Sequence, residues 1–117
     1  MKKSGTTVAF YRRPDGRLTG YRVAGHTGYA ESGADIVCAA VSALTQATLN
    51  GLKGVLKAPT MFEVDDRAAM LEVRLAPEAT EDQVAQAQLL LVTLQEAIEA
   101  IERSYPQNVR IFFEERR

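Results

Sequence analysis

Apolar and polar positions along the chain alternate, then recur every three or four residues, then alternate again, and each change of period marks an element. Residues 7–11 (TVAFY) favour a strand, Arg13-Pro14-Asp15-Gly16 is a strong turn signal, and residues 18–23 read as the returning strand of a hairpin. Gly25, Gly28 and Gly33 then punctuate a loop. From Asp35 onward, Ile36, Val37, Ala40, Val41, Leu44, Thr48 and Leu52 recur at helical spacing, which predicts a largely buried helix. Its alanines, Ala39, Ala40, Ala43 and Ala47, favour the helix and let a neighbour approach closely, and Gly51 and Gly54, with Pro59 beyond, are expected to stop it.

A second hairpin follows from residues 61–64 and 70–75, joined by Asp65-Asp66-Arg67, with Leu71, Val73 and Leu75 alternating with Glu72 and Arg74. Thr80, followed by Glu81 and Asp82, opens a long helix whose Val84, Ala87, Leu91, Leu94, Ile98 and Ile101 step by three and four. The stripe suits a coiled-coil seam too, but in a small mixed domain the expectation is a helix lying across a sheet. Leu89, Leu90 and Val92 widen the apolar surface towards one that a second subunit would cover. After Pro106, residues 109–114 alternate as a closing strand. The order β-β-α-β-β-α-β gives an α+β fold, a mostly antiparallel sheet with two helices.

Composition narrows the partners. The 117 residues suit a single domain over 1–117, and 46% hydrophobic with 25% charged residues is ordinary for a folded protein. With 14 Lys and Arg against 15 Asp and Glu, the net charge of -1 offers no basic face for nucleic acid. No stretch approaches the ~18 consecutive apolar residues of a membrane span, and the start MKKSGTTVAF lacks a signal-length apolar run, so a cytoplasmic protein is expected. One cysteine excludes an internal disulfide, and with one histidine it cannot supply the usual zinc ligand set, so neither metal nor cofactor is expected.

Those two residues share one stretch, GHTGYAESGADIVCAAVS, where His26 and Cys38 stand twelve positions apart across the glycine loop. A free thiol near pKa 8.5 is only a few per cent thiolate at neutral pH, so a nucleophilic Cys38 needs help. The positive end of the helix it enters is one helper, and an imidazole that takes the thiol proton is another. The loop between them is long enough for His26 to reach. Asp35 and Ser42 flank Cys38 at minus three and plus four, on roughly one helical face. Asp35 as N-cap would leave the amides around Cys38 free, Cys38's own among them, as oxyanion donors; Ser32 is an alternative start that pushes Cys38 into the second turn. A structural reading stands beside this one: Cys38 as a small core residue, His26 as a solvated loop residue, Asp35 as a cap and Ser42 as a residue bonding back to its turn. Arg12, Arg13, Arg17 and Arg22 read as a solvated hairpin surface. A redox-sensing thiol would lack a resolving cysteine.

Gly25-His26, Tyr29-Ala30, Gly33 and the run Asp35-Ile36-Val37-Cys38-Ala39-Ala40-Val41-Ser42 together resemble the signature of the ribosomal-processing cysteine protease family, Prp. Thr27 departs conservatively from the small residue expected there. The resemblance implies a cytosolic, homodimeric endopeptidase that removes a short N-terminal extension from the L-twenty-seven protein of the large ribosomal subunit. It implies Cys38 as nucleophile and His26 as general base, Asp35 and Ser42 in supporting roles, and a peptide cut after paired aromatic residues. The loop with Gly25, Gly28 and Gly33 is itself expected to act as a lid over such a peptide. A ribosome-associated module that binds such a peptide without cutting it is the alternative.

Overall fold

The computed structural model describes residues 5–25, 34–67 and 69–116. Five strands and two helices follow the expected order: β1 (Thr6–Arg12), β2 (Leu18–Ala24), α1 (Ala34–Asn50), β3 (Thr60–Asp65), β4 (Met70–Leu75), α2 (Glu81–Ser104) and β5 (Val109–Glu115). The strands form one sheet in the order β3-β4-β2-β1-β5. All neighbours pair antiparallel except β1 with β5, which run parallel.

Chain handedness puts both helices on one side. The connection β2-α1-β3 crosses the sheet one way and β4-α2-β5 crosses it the other way, and β2 and β4 run antiparallel. Right-handed crossovers of opposed strands travelling in opposed directions place their helices on the same face. Period two then sorts the strand residues. Val8, Phe10, Tyr21, Val73 and Val109 point under the helices and form the core with Val37, Val41 and Leu52 and with Ala87, Leu91, Leu94 and Ile98 of α2. On the opposite face Arg22 donates to the Tyr11 hydroxyl at 3.0 Å and to Glu114 at 3.1 Å, while Tyr11 donates to Glu72.

The capped start expected at Thr80 forms, as a reciprocal capping box with Gln83: the Thr80 hydroxyl accepts from Gln83 N–H at 3.1 Å, and the Gln83 side chain accepts in return from Thr80 N–H at 2.9 Å. By length and mean hydropathy α2 matches a membrane span, yet Val84, Ala87, Leu91, Leu94 and Ile98 are buried against the sheet, as a core helix requires. Leu89 is 76% exposed and Val92 39%, so these two point away from the core while Leu90 packs against it.

Two expectations for α1 need correction. It is buried along one stripe only: Val37, Val41 and Thr45 face the sheet, whereas Ile36 is 64% exposed on the neighbouring stripe with Ala43 and Ala47. Nor do Gly51 and Gly54 stop the helix. The chain widens into a π-helical turn, Gly51–Val55, which seats Leu52 in the core before Lys57 turns it away at φ 57°. Leu90 of α2 packs where a Gly51 Cβ would project, 3.1 Å from its Cδ1, so at Gly51 the missing side chain serves helix approach rather than termination.

Candidate active site

Cys38 rides on α1, whose Val37 and Val41 anchor the helix to the core on either side of it. The helix presents Cys38, Val41, Ser42 and Thr45 along one strip, as the three- and four-residue steps dictate, and that strip is one wall of a cavity of about 170 Å³. Val64, Asp65 and Asp66 at the end of β3, with Met70 and Leu71 at the start of β4, make the facing wall. Thr6 and Val23 also line it. Cys38 is half-buried and Ser42 exposed, so a thiol and a hydroxyl one turn apart border the same open space.

This part of α1 is pinned from below. The Tyr21 hydroxyl, fully buried in β2, donates to the Thr45 carbonyl at 2.6 Å, and the Thr45 hydroxyl donates back to the Val41 carbonyl at 2.8 Å. Burial holds the Tyr21 phenol well above its ordinary pKa, so it stays a neutral donor. The only sequence signal for Thr45 is its place four residues after Val41 and seven after Cys38, which puts it on the same face.

Gly25, straight after β2, adopts φ 85°, and a Cβ there would meet the Gly5 carbonyl oxygen at 3.0 Å. It is therefore a glycine by geometry, and it delivers the chain to position 26. His26, Gly28, Gly33 and Ser32 lie outside the described residues, as does the Asp35 side chain. The backbone of Asp35 lies within α1, after Ala34, which excludes it as the N-cap. A helix already formed at Ala34 also draws the Cys38 N–H into the ladder, onto the Ala34 carbonyl. The expected use of that N–H as an oxyanion donor is thereby corrected.

Three of the four hairpin arginines are ion-paired, Arg13 with Asp15 at 2.7 Å and Glu81 at 3.1 Å, Arg17 with Glu81 at 3.3 Å, and Arg22 with Glu114 at 3.1 Å, while Arg12 lies over the Phe113 ring at 4.5 Å. Among the described residues no cluster of three His, Cys, Asp or Glu side chains could hold a metal ion.

The family model of the cysteine protease Prp matches residues 6–110. The chain belongs to the Prp family. It is thus a cysteine protease of the ribosomal-processing family. The Prp of Staphylococcus aureus is 29% identical over 105 residues, spanning 90% of this chain and 95% of that protein. The Prp of Bacillus subtilis is 28% identical over 101 residues, spanning 86% and 89%. In structure, the S. aureus Prp solved with a substrate peptide superposes at a TM-score of 0.80 with 27% identity, over 93% of this chain and 99% of that one. A protein from Streptococcus mutans gives 0.82 with 26% identity, over 97% and 100%. The two-helix, five-strand architecture is therefore the Prp fold.

Proposed function

We propose that this Prp-family protease acts in the cytoplasm as a homodimer and removes a short N-terminal extension from the L-twenty-seven protein of the large ribosomal subunit, cutting after paired aromatic residues. The observation that carries the reading is the position of Cys38, the single cysteine, on the wall of a cavity in a Prp fold. The homologue solved with a substrate peptide supports a peptide as the ligand.

In the proposed reaction, His26 takes the Cys38 thiol proton and the thiolate attacks the scissile carbonyl. The tetrahedral intermediate collapses to a thioester as the imidazolium gives its proton to the leaving amine. His26 next takes a proton from water, whose oxygen attacks the thioester; the acid product leaves and the thiol is restored. Val23 borders the cavity three residues before His26, a span of roughly 10 Å at full extension, which supports His26 as the base for this thiol. We assign Asp35 to orienting that imidazole. A carboxylate acting directly on the thiolate would raise the thiol pKa and oppose attack. Ser42, one turn beyond Cys38, is assigned to hold water or the peptide backbone.

The test is mass spectrometry of a peptide from the host L-twenty-seven N-terminus, incubated with wild-type protein and with Cys38→Ala. One cut by the wild type and none by the variant is expected. If neither protein cuts it while both bind it, the chain is a peptide-binding module and the protease reading for this substrate fails.

A further inference from the structure

The wall of the cavity opposite Cys38 is the edge of the sheet. In the order β3-β4-β2-β1-β5, β3 pairs with β4 on one side and, among the described residues, with no strand on the other. The register shows which groups that free edge presents. Ala76 N–H donates to the Pro59 carbonyl at 2.8 Å, just before the pair Thr60 and Leu75. Bonded and non-bonded pairs alternate in an antiparallel ladder, so Met61 and Glu63 bond to β4 while Thr60, Phe62 and Val64 turn N–H and C=O outward.

The side chains of those same residues lie on the face that carries the helices, because Phe62 stands opposite the core residue Val73 and Val64 opposite Leu71. They are nonetheless 49% and 58% exposed. An unpaired edge with an apolar row beside it is an adhesive surface, one that sheets ordinarily blunt with charge, proline or a bulge. Here it is continuous with the catalytic cavity, since Val64 lines both.

We propose that the substrate docks as an added strand on β3, its backbone paired with Phe62 and Val64 and its scissile bond laid across the cavity at Cys38. Every second side chain of such a strand turns towards the space between β3 and α1, where Phe62, Val64, Val41 and Leu71 select apolar or aromatic groups. The intervening side chains turn towards the opposite face, beside Glu63, and are weakly selected. Recognition is therefore by backbone shape and alternate apolar residues.

This inference rests on the peptidase reading, and the experiment separates the two. The L-twenty-seven peptide is made as a series with one backbone amide N-methylated at a time, and its binding to Cys38→Ala is measured by calorimetry while wild-type protein is tested for cleavage of the parent. Alternate amides should each lose about three- to tenfold in affinity, the range of one net hydrogen bond, with those between almost unaffected. Val64→Pro, which removes an outward N–H without touching the β4 ladder, should weaken the parent by a similar factor and leave the circular dichroism spectrum unchanged. Losses without a period of two, or full affinity in a folded Val64→Pro, overturn the docking mode even if the parent is cut. Alternating losses with no cleavage support the docking mode and sink the peptidase reading. A parent neither bound nor cut overturns both.

Discussion

Two glycines set limits that no other residue meets. At Gly20 an added Cβ would fall 2.3 Å from the Val73 carbonyl oxygen and 2.9 Å from the Arg74 Cα, so β2 and β4 would have to separate. Gly20→Ala should lose about 2–3 kcal/mol in urea unfolding, the range of overpacked cores. Gly25→Ala combines a left-handed backbone with the Gly5 contact, and should lose about 1–2 kcal/mol. Its effect on kcat should exceed what that loss of fold explains, because it re-aims the chain at His26; cleavage measured well below the unfolding temperature checks this. Wild-type kcat in Gly25→Ala would show that position 25 does not steer its neighbour. At this scale Cys38, His26 and Asp35 were legible as candidates from residue type and spacing. The capping state of Asp35 was not, since it depends on where the backbone enters the helix.

Among the elements, α2 follows the rules of an isolated amphipathic helix and α1 does not. Thr80→Ala removes a capping box and should cost about 1 kcal/mol, with little change in activity because α2 has no residue on the Cys38 cavity. In α1 the polar core contact matters more. Tyr21→Phe keeps the ring but deletes the bond to the Thr45 carbonyl, and should cost about 1 kcal/mol. It should also lower kcat, as the strip carrying Cys38 and Ser42 loses its anchor. Unfolding midpoints and cleavage rates measured on both variants give the comparison, and equal activity losses would refute the anchoring role. Sequence period located both helices, but the π-helical turn after Asn50 escaped it. Gly51 reads as a stop by propensity, whereas Leu90 and the core seat of Leu52 make it a close-packing point.

For the whole molecule, the open sheet face links β4, β2, β1 and β5 through Glu72, Tyr11, Arg22 and Glu114. Hydrogen bonding from Arg116, with further support from Arg22, holds the Glu114 carboxyl below its ordinary range against a smaller opposing effect of burial. A carboxyl whose pKa is lowered by folding stabilises the fold above its unfolded value and loses that contribution as pH falls through the folded one. Stability should therefore decline as pH drops below about 4.5, the ordinary glutamate value, and Glu114→Gln should flatten that decline while losing stability at neutral pH. Urea unfolding at a series of pH values tests it. An unchanged acid slope in the variant would assign the decline to other carboxyls.

By itself the sequence determined the element order, the mostly antiparallel α+β class, the hairpin turns, the capped start of α2 and the run around Cys38. These depend on neighbours within a few residues, where period, turn chemistry and residue type act directly. Tertiary structure decided which apolar residues stay exposed, Ile36 and Leu89 among them, because only packing chooses between adjacent helical stripes. It also brought Asp65 and Asp66, which the sequence shows as an ordinary hairpin connector, onto the cavity of Cys38. The crossover from β2 through α1 to the sheet edge made that meeting, and no local pattern encodes a partner almost thirty residues away.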